Sequence, residues 1–209
     1  MTRIVIADDH AIVRKGLRQI IADAPDLSVA GEAGSADELL TIVRTHPVDL
    51  VVLDLGLGMR SGLEVLKHIR SEFPRIPVLI LSMHREDLYA ERALRAGASG
   101  YVQKDDAPEE LLAAIQRIMR GGTYVSPRMA EKLAASLGRG GEHGMPHERL
   151  TDRELEVFRL FGRGMSATEI ASVLNLSVKT VSTYRARIIE KTGLQTNADI
   201  VEYVNAHQL

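Results

Sequence analysis

The chain has 209 residues and no cysteine, with 45% hydrophobic and 26% charged residues and a formal net charge of −2. This composition is typical of a globular protein of one large domain or two small ones, and it excludes a largely disordered chain, a disulfide scaffold and a thiolate metal site. No apolar run approaches the ~20 residues needed to cross a bilayer, and no signal peptide precedes the first apolar run. We therefore expect a cytoplasmic protein without membrane contact, whose basic surface is at most a local patch.

Five short apolar runs alternate with helix-period segments over the first 120 residues. Runs such as "LVVL" (50–53) and "VLIL" (78–81) are apolar without alternation, as is typical of parallel strands covered on both faces. Five βα units in sequence predict an α/β fold with a doubly wound, five-stranded parallel sheet. The expected strands are 4–6, 27–30, 50–53, 78–81 and 101–102, and the expected helices lie near 11–23, 36–45, 62–72, 87–96 and 108–120.

The pattern changes after residue 120. "GGTYVSP" (121–127) breaks the chain, and "RMAEKLAASL" (128–137) predicts a short amphipathic helix. The following "GRGGEHGMPHE" (138–148) is rich in glycine and has no periodicity, which favours a flexible linker. We therefore predict an α/β domain at 1–120, a linker with a short helix at 121–147 and a second domain at 148–209.

The second domain contains only helix signals. Thr151 and Ser166 each precede a glutamate by three residues, which is the pattern of a capping box, and Ser177 and Thr196 are two further N-cap candidates. Gly164 and Gly193 are suited to end helices. Four short helices in about 60 residues predict a small all-α domain.

Polar side chains end or follow four of the predicted strands. Asp8 and Asp9 end the first strand, Asp54 the third and Ser82 the fourth, and Lys104 follows the fifth. These strand ends meet at one edge of an open α/β sheet, where three carboxylates need a cation. Oxygen ligands without a histidine or cysteine partner favour a hard ion such as Mg²⁺. A carboxylate beside Mg²⁺ can attack a phosphoryl group, so we predict Asp54 as the nucleophile, with Lys104 and Ser82 contacting the phosphoryl oxygens.

The motifs "ADDH" (7–10), "VVLDL" (51–55), "ILSMH" (80–84) and "GASGYVQKD" (97–105) occur in this order. Residues 1 to about 120 thereby resemble the receiver domain of the response regulators of bacterial two-component signalling. The resemblance implies the strand order 2-1-3-4-5 and phosphate transfer to Asp54 from a sensor histidine kinase. It also implies a switch role for Tyr101, whose ring would turn inward when Ser82 moves toward the phosphoryl group; the alternative for Tyr101 is a half-exposed strand aromatic. The implied Mg²⁺ ligands are Asp8, Asp9, Asp54 and the backbone carbonyl of Gly56.

The loop after Asp54 departs from the family. Leu57 and Gly58 stand where a Met-Pro pair is usual, whereas Gly62 matches. We expect a looser loop and altered phosphorylation or dephosphorylation rates, with the charged chemistry intact. The same loop, "GLGMRSG" (56–62), could suggest a dinucleotide-binding fingerprint, but its G-x-G-x-x-x-G spacing is one residue too long.

The segment "SVKTVSTYRARIIEKTG" (177–193) predicts the second helix of a helix-turn-helix. At ~100° per residue, one side carries apolar residues that should pack inward, and the opposite side is small, hydroxylated and basic, which suits a major groove. Residues 163–191 carry five basic and two acidic side chains, a net charge of 5 − 2 = +3. The predicted inward residues are Val178, Val181, Ile188 and Ile189, and the predicted outward ones are Lys179, Thr183, Ala186, Arg187 and Glu190.

"LTDRELEVFRLFGRG" (150–164), "EIASVLNLS" (169–177) and "KTVSTYRARIIEKTGL" (179–194) resemble the four-helix DNA-binding domain of the NarL/FixJ (LuxR-type) regulators. Thr168 departs from a frequent lysine and Tyr184 from a common histidine. Arg185 lies near the inward side of the helix, so it could snorkel or pair with an acid instead of contacting DNA. The positions that the resemblance assigns to the DNA interface are Lys179, Thr180, Ser182, Thr183, Arg187 and Lys191.

The combined expectation is a phosphorylation-dependent transcription factor that binds double-stranded promoter DNA and forms a homodimer on activation. Its only reactions would be phosphorylation of Asp54 and slow autodephosphorylation. One alternative is a Mg²⁺-dependent aspartyl-phosphate phosphatase, but Gly56 occupies the place of the second aspartate that such an enzyme needs. Another is a phosphorylated adaptor whose tail binds protein instead of DNA.

Overall fold

The computed structural model describes residues 1–57, 61–83, 86–127, 129–131, 133, 145–207 and 209, with the side chains of 86–88, 148 and 152 left aside. The chain divides into two compact units, Met1–Gly138 and Arg139–Leu209. The predicted helix at 128–137 and the glycine-rich part of the predicted linker fall mostly outside the described residues. Among the residues described, no helix has both the length and the apolar character needed to cross a membrane.

The first unit is a parallel five-stranded sheet with helices between its strands. The strand order β2-β1-β3-β4-β5 confirms the predicted fold class. The strands are β1 (Thr2–Ala7), β2 (Leu27–Ala33), β3 (Leu50–Asp54), β4 (Val78–Ser82) and β5 (Gly100–Gln103). The helices are α1 (Ala11–Ala22), α2 (Ala36–Thr45), α3 (Gly62–Glu72), α4 (Glu86–Arg95) and α5 (Ala107–Met119).

The central strands are buried on both faces, as their uninterrupted apolar runs predict. Every residue of β3 and β4 is buried. On one side of the sheet, Ile4, Val52 and Leu79 belong to a core that also includes Leu17 of α1 and Leu111 of α5. This packing holds the carboxyl ends of the strands in a rigid frame, and those ends carry the polar residues singled out in the sequence.

The segment after α5 returns to the sheet edge and pairs with β5. The Tyr101 amide donates to the Tyr124 carbonyl at 2.9 Å, and the Tyr124 amide donates to the Ser99 carbonyl at 3.1 Å. The close approach explains Gly100, because a Cβ there would lie 2.8 Å from the Tyr124 oxygen. Sequence reasoning interpreted 121–127 only as a chain break and missed this pairing.

The second unit contains four helices in the described residues, as predicted: α6 (Asp152–Gly162), α7 (Ala167–Val173), α8 (Val178–Thr192) and α9 (Asn197–Ala206). Both predicted capping boxes form, and α8 and α9 are capped by the Ser177 and Thr196 side chains. Gly193 ends α8 in the left-handed conformation, with φ of 77°. A single 3₁₀ turn, Pro146–Arg149, precedes α6.

The predicted faces of α8 are largely correct, with one error. Val181 and Ile188 are fully buried, and Ile189 is half-buried. Val178, predicted to pack inward, is 45% exposed. It is the first residue of α8, where the chain enters from the turn, so helical periodicity alone did not predict its exposure.

Gly62 is required at the start of α3 by a close backbone approach. A Cβ at this position would lie 2.5 Å from the Asp54 carbonyl oxygen and 2.5 Å from Leu55 Cα. We expect Gly62→Ala to lower the free energy of unfolding by about 1–3 kcal/mol or more, because the backbone after Asp54 must move. Gly16→Ala is the matched control: Gly16 is exposed within α1 with no atom within 4 Å of a new Cβ, so alanine should stabilise by about 0.5–1 kcal/mol. Urea unfolding of both variants measures this, and equal stabilities would contradict the steric argument.

Candidate functional site

Side chains from three strand ends meet in one buried pocket at the carboxyl edge of the sheet. Asp8 follows β1, Asp54 ends β3 and Lys104 follows β5. The Lys104 ammonium lies 2.6 Å from Asp8 Oδ2 and 2.8 Å from Asp54 Oδ2. The two aspartates are 1% and 4% exposed, and the Lys104 side chain is 7% exposed. The structure thus brings these predicted site residues together, from positions up to 96 residues apart in the sequence (104 − 8 = 96).

The charges in this pocket are incompletely balanced. Burial raises the pKa of Asp54 above its ordinary value, and the nearby Asp8 adds to this, although the hydrogen bond from Lys104 acts in the opposite direction. For Lys104, burial lowers the pKa, but the hydrogen bonds and charges of Asp54 and Asp8 outweigh burial and raise it. One ammonium therefore serves two buried carboxylates, and a further cation would stabilise their ionised forms.

This electrostatic cost predicts how stability changes in Asp54→Asn. The pKa of Asp54 is raised in the folded chain, so folding favours the protonated carboxyl. The stability that Asp54 contributes is therefore present below its ordinary pKa of 3.8 and is lost as the pH rises through its pKa in the folded chain. Asparagine stays neutral throughout. In Mg²⁺-free buffer, the free energy of unfolding of the variant should equal that of the wild type at the lowest pH and exceed it at pH 7. Urea unfolding across the pH range measures the difference, and a more stable wild type at pH 7 would contradict it.

Asp9 and His10 complete an acidic cluster beside this pocket. One donor atom from each of Asp8, Asp9, His10 and Asp54 lies within 4.8 Å of the others. The three carboxylates fit the oxygen donor set that Mg²⁺ prefers, as predicted from the strand ends. The oxygen-only donor set stays a prediction, but a histidine that the sequence reasoning did not weigh lies beside it, with His10 Nδ1 2.6 Å from Asp9 Oδ1. The signal was present in "ADDH", where the histidine directly follows the acidic pair.

The turn after β3 brings the backbone close to Asp54. The Gly56 amide hydrogen-bonds to the Asp54 carboxylate, and a Cβ at Gly56 would lie 3.3 Å from Asp54 Oδ2. The assignment of the Gly56 carbonyl as a metal ligand stays a prediction. Leu57 is buried, so its side chain anchors the part of the loop that was expected to be looser than in the family. Gly58 lies outside the described residues.

Ser82 and Tyr101 occupy the neighbouring strands β4 and β5. Ser82 ends β4 and is buried; in the register of the sheet it lies opposite Gln103, the residue before Lys104. Tyr101 is 1% exposed, so its ring lies inside the protein and is not a half-exposed strand aromatic. Its role as a switch is not tested by this arrangement and stays a prediction.

The second unit presents the predicted polar face of α8 to solvent. Lys179, Thr183 and Arg187 are exposed on this face, and Ser182 is exposed on its flank. A surface depression runs along it, lined by Ser177, Lys179, Thr180, Thr183, Tyr184 and Arg187. Small hydroxyl-bearing side chains between two cations leave room for base edges and provide charge for phosphates.

Two cations of α8 have partners within the protein. The Lys191 ammonium donates to Glu154 Oε2 at 2.6 Å, and the Glu154 carboxylate is almost completely buried. Arg185 Nε donates to Asn197 Oδ1 of α9 at 2.7 Å, so this side chain pairs with an amide instead of an acid. Sequence reasoning missed the Glu154 pair because its members are 37 residues apart. The assignment of Lys191 to DNA stays a prediction, with its ammonium already engaged.

Both units match known families. Residues 4–116 match the response regulator receiver domain, and residues 148–204 match the bacterial regulatory proteins of the luxR family. A receiver domain joined to a LuxR-type helical domain defines a transcriptional response regulator. The chain belongs to the NarL/FixJ (LuxR-type) family of response regulators, which confirms the resemblance inferred from the motifs.

Relatives and solved structures agree over the whole length. The chain is 31% identical over 209 residues to the response regulator UvrY of Escherichia coli (strain K12), covering all of this chain and 96% of UvrY. It is 37% identical over 201 residues to the transcriptional regulatory protein UhpA of Salmonella typhimurium (strain LT2), covering 96% of each. RcsB from Salmonella enterica serovar Typhimurium, bound to the promoter rprA with the phosphomimetic BeF3⁻, superposes with a TM-score of 0.67 at 28% identity, covering 98% of this chain and 99% of that one.

Proposed function

We propose that this chain is a transcription regulator whose DNA binding is controlled by phosphorylation of Asp54. The observation that carries the proposal is the contact of Lys104 with both Asp8 and Asp54 at the carboxyl edge of the sheet. A buried carboxylate held beside a single ammonium, next to a further exposed carboxylate, is suited to accept a dianionic phosphoryl group together with a divalent cation.

The phosphoryl group comes from a phosphohistidine of a sensor kinase. An Asp54 oxygen attacks phosphorus as the phosphorus–nitrogen bond breaks; the electron pair of that bond stays on the donor imidazole, which takes up a proton. Lys104 and Ser82 then hold the phosphoryl oxygens of the acyl phosphate. Asp8, Asp9, Asp54 and the Gly56 carbonyl would hold Mg²⁺, which, when bound, supplies positive charge against the phosphoryl oxygens. Later hydrolysis of the acyl phosphate is slow, and the chain turns over no other substrate.

The exposed face of α8 is the DNA-reading surface in this proposal. Lys179 and Arg187 contact phosphates or guanine edges, and Thr183 and Ser182 lie between them. One solved structure contains two RcsB dimers bound to two parallel DNAs. We infer that this chain likewise binds two-fold promoter sites as a homodimer once Asp54 is phosphorylated.

Fluorescence anisotropy with duplexes selected from a random pool tests the proposal. Acetyl phosphate with Mg²⁺ should raise the affinity of the full chain for the selected duplex, and the affinity should fall steeply with salt. Lys179→Met should weaken binding and reduce the slope of log K against log salt by about one. Lys15→Met, a substitution of an exposed lysine of α1, is the control and should leave both unchanged. Binding that phosphate does not alter would overturn the proposed control.

The unusual loop after Asp54 carries its own prediction. Replacing Leu57-Gly58 by Met-Pro should change the rate of phosphorylation by acetyl phosphate or of acyl-phosphate loss, because the loop lies next to the metal ligands and proline restricts its backbone. Phosphorylated and free chains can be counted over time by intact-protein mass spectrometry. Identical rates in both chains would discard the prediction.

A further inference from the structure

The acidic cluster of Asp8, Asp9, His10 and Asp54 contains a nitrogen donor, His10, that the proposed phosphotransfer does not use. His10 is the N-cap residue of α1, yet its side chain makes no capping hydrogen bond. Its Nδ1 lies instead 2.6 Å from Asp9 Oδ1 and 3.4 Å from Asp8 Oδ1. The backbone amide of His10 donates to Asp8 Oδ1 at 2.8 Å, which holds the residue against the carboxylates.

The spacing of this cluster suits a single divalent ion. Donors on opposite sides of an ion lie roughly 4.2 Å apart when each bond is about 2.1 Å long. The four donor atoms, from Asp8, Asp9, His10 and Asp54, all lie within 4.8 Å of one another. A small inward movement of these side chains would therefore allow all four atoms to bind one ion. The His10 side chain is 66% exposed, which leaves it free to turn toward an arriving ion.

We propose that His10 is a fourth cation ligand and that it allows this site to bind, besides Mg²⁺, borderline transition metals such as Ni²⁺ and Co²⁺. The inference rests on the proposed metal site of Asp8, Asp9 and Asp54. Carboxylates alone suit Mg²⁺ and Mn²⁺, whereas an imidazole selectively increases affinity for the later first-row metals. Mg²⁺ gains little from a nitrogen donor, so His10 acts on the choice of metal far more than on Mg²⁺ binding itself.

Isothermal titration of the full chain with NiCl₂ and, separately, MgCl₂ tests the role of His10. His10→Gln should lower the Ni²⁺ affinity of the pocket at least about tenfold and the Mg²⁺ affinity less than about threefold. His46→Gln, at an exposed histidine whose Nδ1 lies 2.8 Å from the Thr45 hydroxyl, is the matched control and should change neither. In ¹⁵N spectra, substoichiometric Ni²⁺ should broaden the His10 imidazole resonances before those of His46.

Two negative results have different meanings. If His10→Gln binds Ni²⁺ as tightly as the wild type while Mg²⁺ still binds, His10 is only a hydrogen-bond partner of Asp9, and the inference is wrong. If Asp9→Asn leaves the Mg²⁺ affinity of the wild type unchanged, the carboxylate site itself is wrong, and the proposed function loses its metal as well.

Discussion

An Asp54→Asn chain should take up no phosphoryl group from acetyl phosphate, and its affinity for DNA should stay at the unphosphorylated level. Asparagine preserves the shape of the side chain but lacks the nucleophilic carboxylate and one negative charge for the cation. Asp8 and Asp9 should not substitute, because they follow a different strand, and Lys104 already engages Asp8 Oδ2 at 2.6 Å. Intact-protein mass spectrometry measures phosphorylation, and anisotropy measures DNA affinity on the same samples.

Asp23→Asn is the control for this experiment, since Asp23 is an exposed carboxylate just after α1, away from the pocket. It should be phosphorylated at the rate of the wild type. Phosphate found on the Asp54→Asn variant would assign the acceptor to another residue. Equal gains in DNA affinity for the wild type and the Asp54→Asn variant would break the connection between phosphate and DNA binding.

Removing either member of the Glu154–Lys191 pair should destabilise the helical unit. Glu154 accepts from Lys191 at 2.6 Å and from the Thr151 amide at 2.8 Å, and it completes the capping box of α6. Glu154→Gln should lower the free energy of unfolding by about 1.5–3 kcal/mol, because the amide oxygen can still accept but the negative charge that strengthens these hydrogen bonds and balances Lys191 is removed. Lys191→Met should cost a similar amount, since it leaves the buried carboxylate without its cation.

The pH dependence of this effect follows from the carboxylate. Burial raises the pKa of Glu154, but the hydrogen bonds from Lys191 and Thr151 outweigh burial, so the pKa lies below its ordinary 4.5. The stabilisation is therefore complete above pH 4.5 and is lost as the pH falls through the folded value. Native-state hydrogen exchange of the α6 and α8 amides should show the difference between Glu154→Gln and the wild type at pH 7, and a smaller one at the lowest pH.

The same variants distinguish a structural role of Lys191 from a role in DNA contact. If Lys191 is structural, Lys191→Met should leave the salt slope of DNA binding unchanged at temperatures where the domain is folded, whereas Lys179→Met should reduce it by about one. Glu169→Gln, at the exposed capping-box glutamate of α7, is the control for stability and should cost about 1 kcal/mol or less. An unchanged exchange rate in Lys191→Met would show that the pair contributes little.

The sequence by itself determined the elements and the local chemistry of this protein. Uninterrupted apolar runs specify strands buried on both faces, and a hydroxyl three residues before a glutamate satisfies the free amides of a helix start whatever surrounds it. Because parallel strands place their carboxyl ends at one edge, the sequence alone predicts that Asp8, Asp54 and Lys104 meet. These features depend on neighbours along the chain or on a general rule of topology.

Tertiary structure alone decided what covers or engages each side chain. Helical periodicity gives the direction in which the Val178 side chain points but not whether a neighbouring residue packs over it. It also cannot predict that Lys191 pairs with a glutamate on another helix. The burial of Tyr101 and the pairing of Tyr124 with β5 depend likewise on how the chain turns after each element ends. Such contacts join side chains or backbone groups whose distance is set by packing and loop geometry, and no local pattern of residues encodes that distance.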